Sequence, residues 1–138
     1  HDDFWAQWES VAERNEGDAA EELRAQLEWI GKWITDPRSS GCPLLNAAAE
    51  FREPSHPARD VVLRSKQLLR RRLLQLSMAL GAADPQLLAD QLVLLIDGAF
   101  ADSQALGKTG PAASLLAAAT AIAEGAMPRK GVTFDNGA

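Results

Sequence analysis

The sequence predicts an all-α fold, a bundle of about six helices, and three observations lead to this prediction. Leu and Ala supply 44 of the 138 residues, whereas Val, Ile and Thr together supply 13, and branched side chains lose rotamer freedom in helices. Apolar side chains recur every three or four positions along most segments. Glycine, proline and capping residues separate these segments. An all-β fold is therefore excluded.

Composition and charge exclude several classes of function. The net charge is −5 and the pI is about 5.0, so the chain alone lacks the surplus of Lys and Arg that nucleic-acid binding requires. One cysteine can form neither an internal disulfide nor a structural zinc site. No uncharged apolar run is long enough to span a bilayer. The single cysteine and the lack of a membrane span lead us to expect a cytoplasmic protein. Since no phosphate-binding loop, metal-ligand spacing or catalytic grouping occurs, we expect that it is not an enzyme and uses no cofactor or metal.

The first two helices are predicted over residues 3–16 and 18–35. Gly17 separates them, and Asp18 is placed to cap the second helix, with Glu21 three residues further on. The first helix has one apolar face, whereas the second has two, which is typical of a helix between layers or beside a cavity. The side chains that define these faces include Phe4, Trp8 and Val11 on the first helix, and Leu27, Ile30, Trp29 and Trp33 on the second.

A short third helix is predicted to begin at Pro43, and a long fourth helix is predicted over residues 56–80. Proline is favoured in the first turn of a helix, and Ser55 is expected to cap the long helix. Gly81 is expected to end it. Two polar side chains lie on or beside the apolar face of the long helix, and these are Ser65 and Lys66.

The fifth helix is predicted over residues 84–106 and the sixth over residues 111–125. Asp84 followed by proline is typical of a capped helix start. The fifth helix is apolar on most of its circumference, so we expect a partner surface to cover part of it. We expect residues 1–125 to form one domain and residues 126–138 to form a loose tail. The one polar stripe of the fifth helix consists of Asp90, Asp97 and Gln104.

Three stretches carry a more specific resemblance: GCPLLNAAAEF at residues 41–51, HPAR at 56–59 and ADQLVLLIDGA at 89–99. Their order and spacing resemble the C-terminal effector-binding domain of TetR-family transcriptional regulators, and the resemblance extends over most of the chain. It implies an all-helical bundle that encloses a mostly apolar ligand pocket and forms a homodimer through its last two long helices. In this family the shift that follows ligand entry moves two DNA-reading modules out of register.

The DNA-binding helix-turn-helix half of such regulators is not found before Phe4. His1 stands where an initiator Met would stand, so we expect that residues preceding this chain have been lost. DNA is therefore expected as a partner only through the missing N-terminal half, and no membrane partner is expected.

The expected ligand is a small apolar or aromatic molecule, because such sites are apolar with a few polar groups for orientation. Core packing is the alternative for Trp8, and core packing or a second interface is the alternative for Trp29 and Trp33. Asp102 lies among apolar side chains, where an unpaired carboxylate is costly, so we consider an ion pair with Lys66, nearby water or a ligand as its partner. The candidate ligand-binding residues are Trp8, Trp29, Trp33, Leu45, Lys66, Leu69, Leu95 and Asp102.

Cys42 is a possible redox-sensing residue, because a helix N-terminus can make a thiol reactive. The chain offers it no second cysteine as a resolving partner. The alternative is a small buried hydrophobic side chain.

The expected homodimer is two-fold symmetric and packs residues 84–125 of each chain into a four-helix bundle. Small side chains on the fifth helix would allow a close approach of the partner helix. A structural dimerisation module without a small-molecule site is the alternative function. The candidate interface residues are Leu87, Leu94, Gly98, Ala101, Ala105, Leu115, Ala118, Ala119 and Ile122.

Overall fold

The computed structural model describes residues 2–129, and every regular element in that range is helical. The all-α prediction is therefore confirmed for this part of the chain, and the helices follow the predicted order. Their bounds are Asp2–Arg14 (α1), Ala19–Thr35 (α2), Pro43–Glu50 (α3), Pro57–Leu80 (α4), Pro85–Ala105 (α5) and Leu115–Gly125 (α6), with a 3-10 turn at Pro111–Ser114 before α6.

The start of α2, the end of α4 and the start of α5 were predicted from local capping chemistry that the structure confirms. The carboxylate of Asp18 accepts the backbone N–H of Glu21 at 3.1 Å, and Asp84 accepts that of Leu87 at 3.1 Å. Gly81 ends α4 in the left-handed region at a φ of 80°, which glycine adopts without a steric penalty. These short-range interactions place the ends of three helices independently of tertiary packing.

The predicted cap of the long helix was wrong by one residue. His56, and not Ser55, precedes the first helical residue, and its Nδ1 accepts the backbone N–H of Ala58 at 3.1 Å. The imidazole also stacks on Phe51 with the ring centroids 4.2 Å apart. Because Pro57 occupies the first turn, the capping position falls on the residue directly before it.

The core is organised around α5, which packs against α2, α4, α6 and the 3-10 turn. Leu88, Leu92 and Ile96 lie on the buried side of α5 and are at most 1% exposed. Trp8 of α1 and Ile30 of α2 belong to the same cluster. Burial of these large side chains supplies most of the hydrophobic stabilisation of the bundle.

Lys108, which follows α5, binds the segment that connects α2 to α3. Its Nζ donates to the backbone oxygens of Ile34 at 3.0 Å and Ser39 at 3.1 Å. The carbonyl of Ile34 lies in the last turn of α2, where carbonyls lack helical partners and favour a nearby cation. This contact therefore holds the segment that leads to Cys42 and α3.

We expect Lys108→Met to lower the free energy of unfolding by about 1.5 kcal/mol, because two hydrogen bonds to a charged donor are lost. Hydrogen exchange in residues 36–42 should also accelerate, which mass spectrometry of peptic fragments can measure. Lys32→Met is the matched control, since the Lys32 side chain is 75% exposed and pairs only with Glu28 within α2. A control change larger than that of Lys108→Met would contradict the assigned role.

The chain that follows α6 remains packed for at least two residues. The backbone oxygen of Ala126 accepts the N–H of Ala83 at 2.9 Å, and Ala126 and Met127 pack against the core. Ala126 and Met127 thus pack against the bundle, and the loose tail from residue 126 stays a prediction. Its remaining part at residues 130–138 lies outside the described residues.

Candidate functional site

A cavity of about 100 Å³ lies between the N-terminal half of the bundle and α5. Five helices contribute to it: α1 and α2 supply aromatic rings, the start of α3 supplies small and apolar groups, and α4 and α5 complete the wall. The lining residues are Phe4, Trp5, Trp33, Cys42, Pro43, Leu44, Ser65, Lys66, Leu69, Ile96 and Phe100.

The aromatic side chains of the cavity wall are held by contacts with one another. Phe4 contacts Trp5 with the ring centroids 5.0 Å apart and the planes at 81°, and it contacts Trp33 at 5.6 Å. Trp33 also meets Phe100 edge to face at 5.6 Å. Edge-to-face pairs are favourable beyond their buried area, so these contacts stabilise an apolar wall.

The polar groups of the cavity are few. Lys66 Nζ lies 2.5 Å from Asp97 Oδ1, and about three quarters of each side chain is buried, with 22% and 27% exposed. The Nε1 atom of Trp5 is buried and has no hydrogen-bond partner among the described residues. Cys42 is 8% exposed. The cavity therefore combines one internally neutralised ion pair, the Ser65 hydroxyl, one N–H donor without a partner among the described residues and one buried thiol.

The hypothesis of a Lys66–Asp102 pair was wrong. Helices α4 and α5 are antiparallel, and Arg70 pairs with Asp90 as Lys66 pairs with Asp97. Asp102 lies five residues beyond Asp97, which is about 7.5 Å further along the helix axis. Among residues 2–129 the half-buried Asp102 side chain has no ion pair, and Asp102 does not line the cavity.

Two members of the polar stripe of α5, Asp90 and Asp97, thus contact α4. The Nε atom of Arg70 donates to Asp90 Oδ1 at 2.7 Å, and this hydrogen bond holds the pKa of Asp90 below its ordinary value. The Asp90 pair is exposed at the surface, whereas the Lys66–Asp97 pair lies at the cavity. Burial makes the inner pair the more sensitive of the two to substitution.

A double-mutant cycle with Lys66→Met and Asp97→Asn should give a coupling energy of about 1 kcal/mol. The reason is that each single variant leaves one partly buried charge unpaired. Urea unfolding of the four proteins at one chain concentration measures this energy. The same cycle with Asp102→Asn in place of Asp97→Asn is the control, and we expect it to show no coupling; coupling to Asp102 alone would refute the observed pairing.

The structure brings three of the candidate ligand-binding residues to the cavity: Trp33, Lys66 and Leu69. Leu45 and Leu95 are half-buried and pack against the core without lining the cavity. Cys42, the possible redox residue, is buried and does line it. The ligand-binding role of these residues stays a prediction.

Two of the predicted tryptophans lie elsewhere. Trp8 is 1% exposed and belongs to the core, as its core-packing alternative predicted. Trp29 lies behind the cavity wall, where it packs against Phe4 and Trp33, and its Nε1 donates to Gln26 Oε1 at 2.7 Å. Trp29 therefore supports the wall and is not part of its surface.

The sequence analysis does not identify several cavity residues, in part because it assigns the first helix a single apolar face. Phe4 was placed with the core, and Trp5 and Phe100 were not singled out. Adjacent aromatic residues at positions 4 and 5 point about 100° apart on a helix, which was an available signal that α1 borders two environments. The contribution of Pro43 from the start of α3 depends on tertiary packing and has no local signal.

The candidate interface residues divide between the exposed surface and the core. All five on α5 are exposed in the single chain. Leu115 and Ala119 of α6 are 3% and 0% exposed, so both side chains are covered within the single chain, and their role as contact residues for a partner stays a prediction. Helix α6 is short and uses this face to pack against α5 and α2. Ala118 and Ile122 are half-buried, and their interface role stays a prediction.

Residues 2–129 include no group of three or more His, Cys, Asp or Glu side chains placed to hold a metal ion. None of the helices in this range has the combination of length and hydropathy that crossing a membrane requires. The apolar cavity is the candidate small-molecule binding site among the described residues.

The fold and the cavity define an all-α domain with an apolar cavity between its helices, and known proteins specify its family. Residues 19–119 match the family described as "Tetracyclin repressor-like, C-terminal domain". The chain belongs to this family and is the C-terminal, regulatory type of domain of a TetR-family transcriptional regulator.

A solved structure agrees with this assignment. The crystal structure of SCO4454, a TetR-family transcriptional regulator from Streptomyces coelicolor, is similar with a TM-score of 0.83 and 26% sequence identity. The similarity covers 91% of this chain and 66% of that protein, so the chain spans slightly less than two thirds of its relative. No curated protein sequence matches the chain.

Proposed function

We propose that this chain is the effector-sensing and homodimerising domain of a TetR-like repressor. A small apolar or aromatic ligand in the cavity would control DNA binding by an N-terminal helix-turn-helix half. The observation that carries this proposal is the apolar, aromatic cavity that five helices line. A domain that served only to dimerise would have no need of such a site in its core, because unfilled space lowers stability.

The wall of the cavity would couple ligand binding to the position of α1 and, through α1, to a preceding DNA-binding half. Phe4 and Trp5 lie on α1, the first helix of the described chain, and both line the cavity. A ligand larger than the present space has to displace these rings. Because both rings belong to α1, that helix would shift relative to Trp33, against which Phe4 packs. A DNA-binding half that preceded α1 in the sequence would be reoriented by that movement.

The exposed face of α5 supports the proposed homodimer. Leu87 and Leu94 lie seven residues apart on one stripe and are 53% and 72% exposed. Gly98 lies on the same side, and a Cβ added there would meet nothing within 4 Å. A stripe of large apolar and small side chains suits the close packing of a second α5 across a two-fold axis.

Native mass spectrometry tests both parts of this proposal. We expect a complex near twice the chain mass of 14.8 kDa, with a small adduct that increasing collision energy removes. A monomer at all concentrations would contradict the dimer. Tryptophan emission that fails to respond to any apolar compound would contradict the ligand site and favour a purely structural module.

A further inference from the structure

The indole of Trp5 contains a hydrogen-bond donor that residues 2–129 leave unused. Its Nε1 atom is buried and has no hydrogen-bond partner in that part of the chain, although Trp5 lines the cavity. Buried donors are almost always paired, and an unpaired donor lowers stability unless a ligand accepts its hydrogen bond. Trp29, by contrast, has a partner for its indole N–H, since its Nε1 donates to Gln26 Oε1 at 2.7 Å. An indole can only donate, so the missing group must be an acceptor.

The charges at the cavity indicate that its ligand is neutral. Lys66 is the cation that lines the wall, and Asp97 already neutralises it at 2.5 Å. An anionic ligand would have to displace the Asp97 carboxylate or lie beside it, and a cationic ligand would compete with Lys66 for the same carboxylate. A neutral molecule meets neither cost.

The volume of the cavity corresponds to a ligand of about one ring. Its volume is about 100 Å³, and an apolar cavity of about 150 Å³ is known to hold one benzene molecule. A modest displacement of the Phe4 or Trp33 ring would admit a six-membered ring with one substituent. We propose that the cavity takes a neutral, single-ring compound with one hydrogen-bond acceptor, which accepts the N–H of Trp5. This inference rests on the proposed function, because it specifies the ligand of that site.

Cyclohexanone and methylenecyclohexane test the proposal, since they have the same shape and differ in whether oxygen or a CH₂ group ends the double bond. We expect cyclohexanone to bind the wild-type chain roughly tenfold more tightly, the difference that one buried hydrogen bond produces. Titrations followed by NMR of the ¹⁵N-labelled chain measure both affinities. The indole N–H signal of Trp5 should move downfield with cyclohexanone and not with the hydrocarbon.

Two variants separate the hydrogen bond from the shape of the wall. Trp5→Phe removes the donor, and we expect it to bring the two affinities within about twofold of each other. Trp29→Phe also removes an indole, but Trp29 does not line the cavity and its Nε1 already donates to Gln26. We expect this control to keep the preference for the ketone.

The outcomes distinguish this inference from the function on which it rests. Equal binding of both compounds to the wild-type chain overturns the acceptor proposal and leaves the ligand site intact. A ketone preference that survives in Trp5→Phe also overturns it, because another donor would then be responsible. Failure of both compounds to bind overturns the proposed ring-sized site together with the inference.

Discussion

Leu94→Glu should convert the proposed dimer into a monomer, with the dissociation constant raised by a factor of about a thousand or more. Leu94 is 72% exposed in the single chain and lies at the centre of the apolar stripe of α5. In a two-fold symmetric interface the substitution introduces two carboxylates close to the axis, and both would be buried without a cation. Sedimentation equilibrium over a range of chain concentrations measures the effect.

The same exposure predicts that the variant folds normally. A side chain that is largely solvent-exposed in the monomer makes little contribution to its own core, so the helical circular dichroism should be unchanged. Met78→Glu is the matched control, because Met78 of α4 is 62% exposed but lies on a different helix. We expect Met78→Glu to remain dimeric. Dissociation by Met78→Glu with an intact Leu94→Glu dimer would move the interface to α4.

The helices could be predicted from sequence because their ends depend on local chemistry. Asp18, Gly81 and Asp84 each satisfy or terminate the backbone within four residues of themselves. The periodic apolar faces then identified which side of each helix is buried, as the 1% exposure of Trp8 and Ile96 shows. Such features are properties of short segments, so they can be read without knowing how the segments pack.

The pairing of Lys66 could not be predicted in the same way. Asp97 and Asp102 are both carboxylates on α5, and the helical pattern alone does not say which of them faces Lys66. The choice depends on the axial offset between α4 and α5, which the packing of their apolar ridges determines. The burial of Leu115 follows from the same kind of tertiary information, because α2 and α5 together cover that face of α6.

Gln26→Met should lower the free energy of unfolding by about 2–3 kcal/mol, the largest effect on stability that we predict for a single polar group. Gln26 is fully buried, its Nε2 donates to the backbone oxygen of Trp8 at 3.0 Å, and its Oε1 accepts the N–H of Trp29 at 2.7 Å. This side chain therefore joins α1 to α2 and fixes the indole behind the cavity wall. Methionine fills a similar volume but offers neither the amide donor nor the carbonyl acceptor.

The measurement requires a background in which association does not contribute, since dimerisation adds a concentration-dependent term to apparent stability. Urea unfolding in the Leu94→Glu chain provides it, with Gln67→Met on the exposed side of α4 as the control, for which we expect a change within about 0.5 kcal/mol. The indole N–H signal of Trp29 should also move upfield, because its acceptor is gone. Equal stability of the two methionine variants would show that the Gln26 hydrogen bonds make no net contribution to the free energy of unfolding. The apolar contacts of Trp8 and Trp29 alone would then hold α1 against α2.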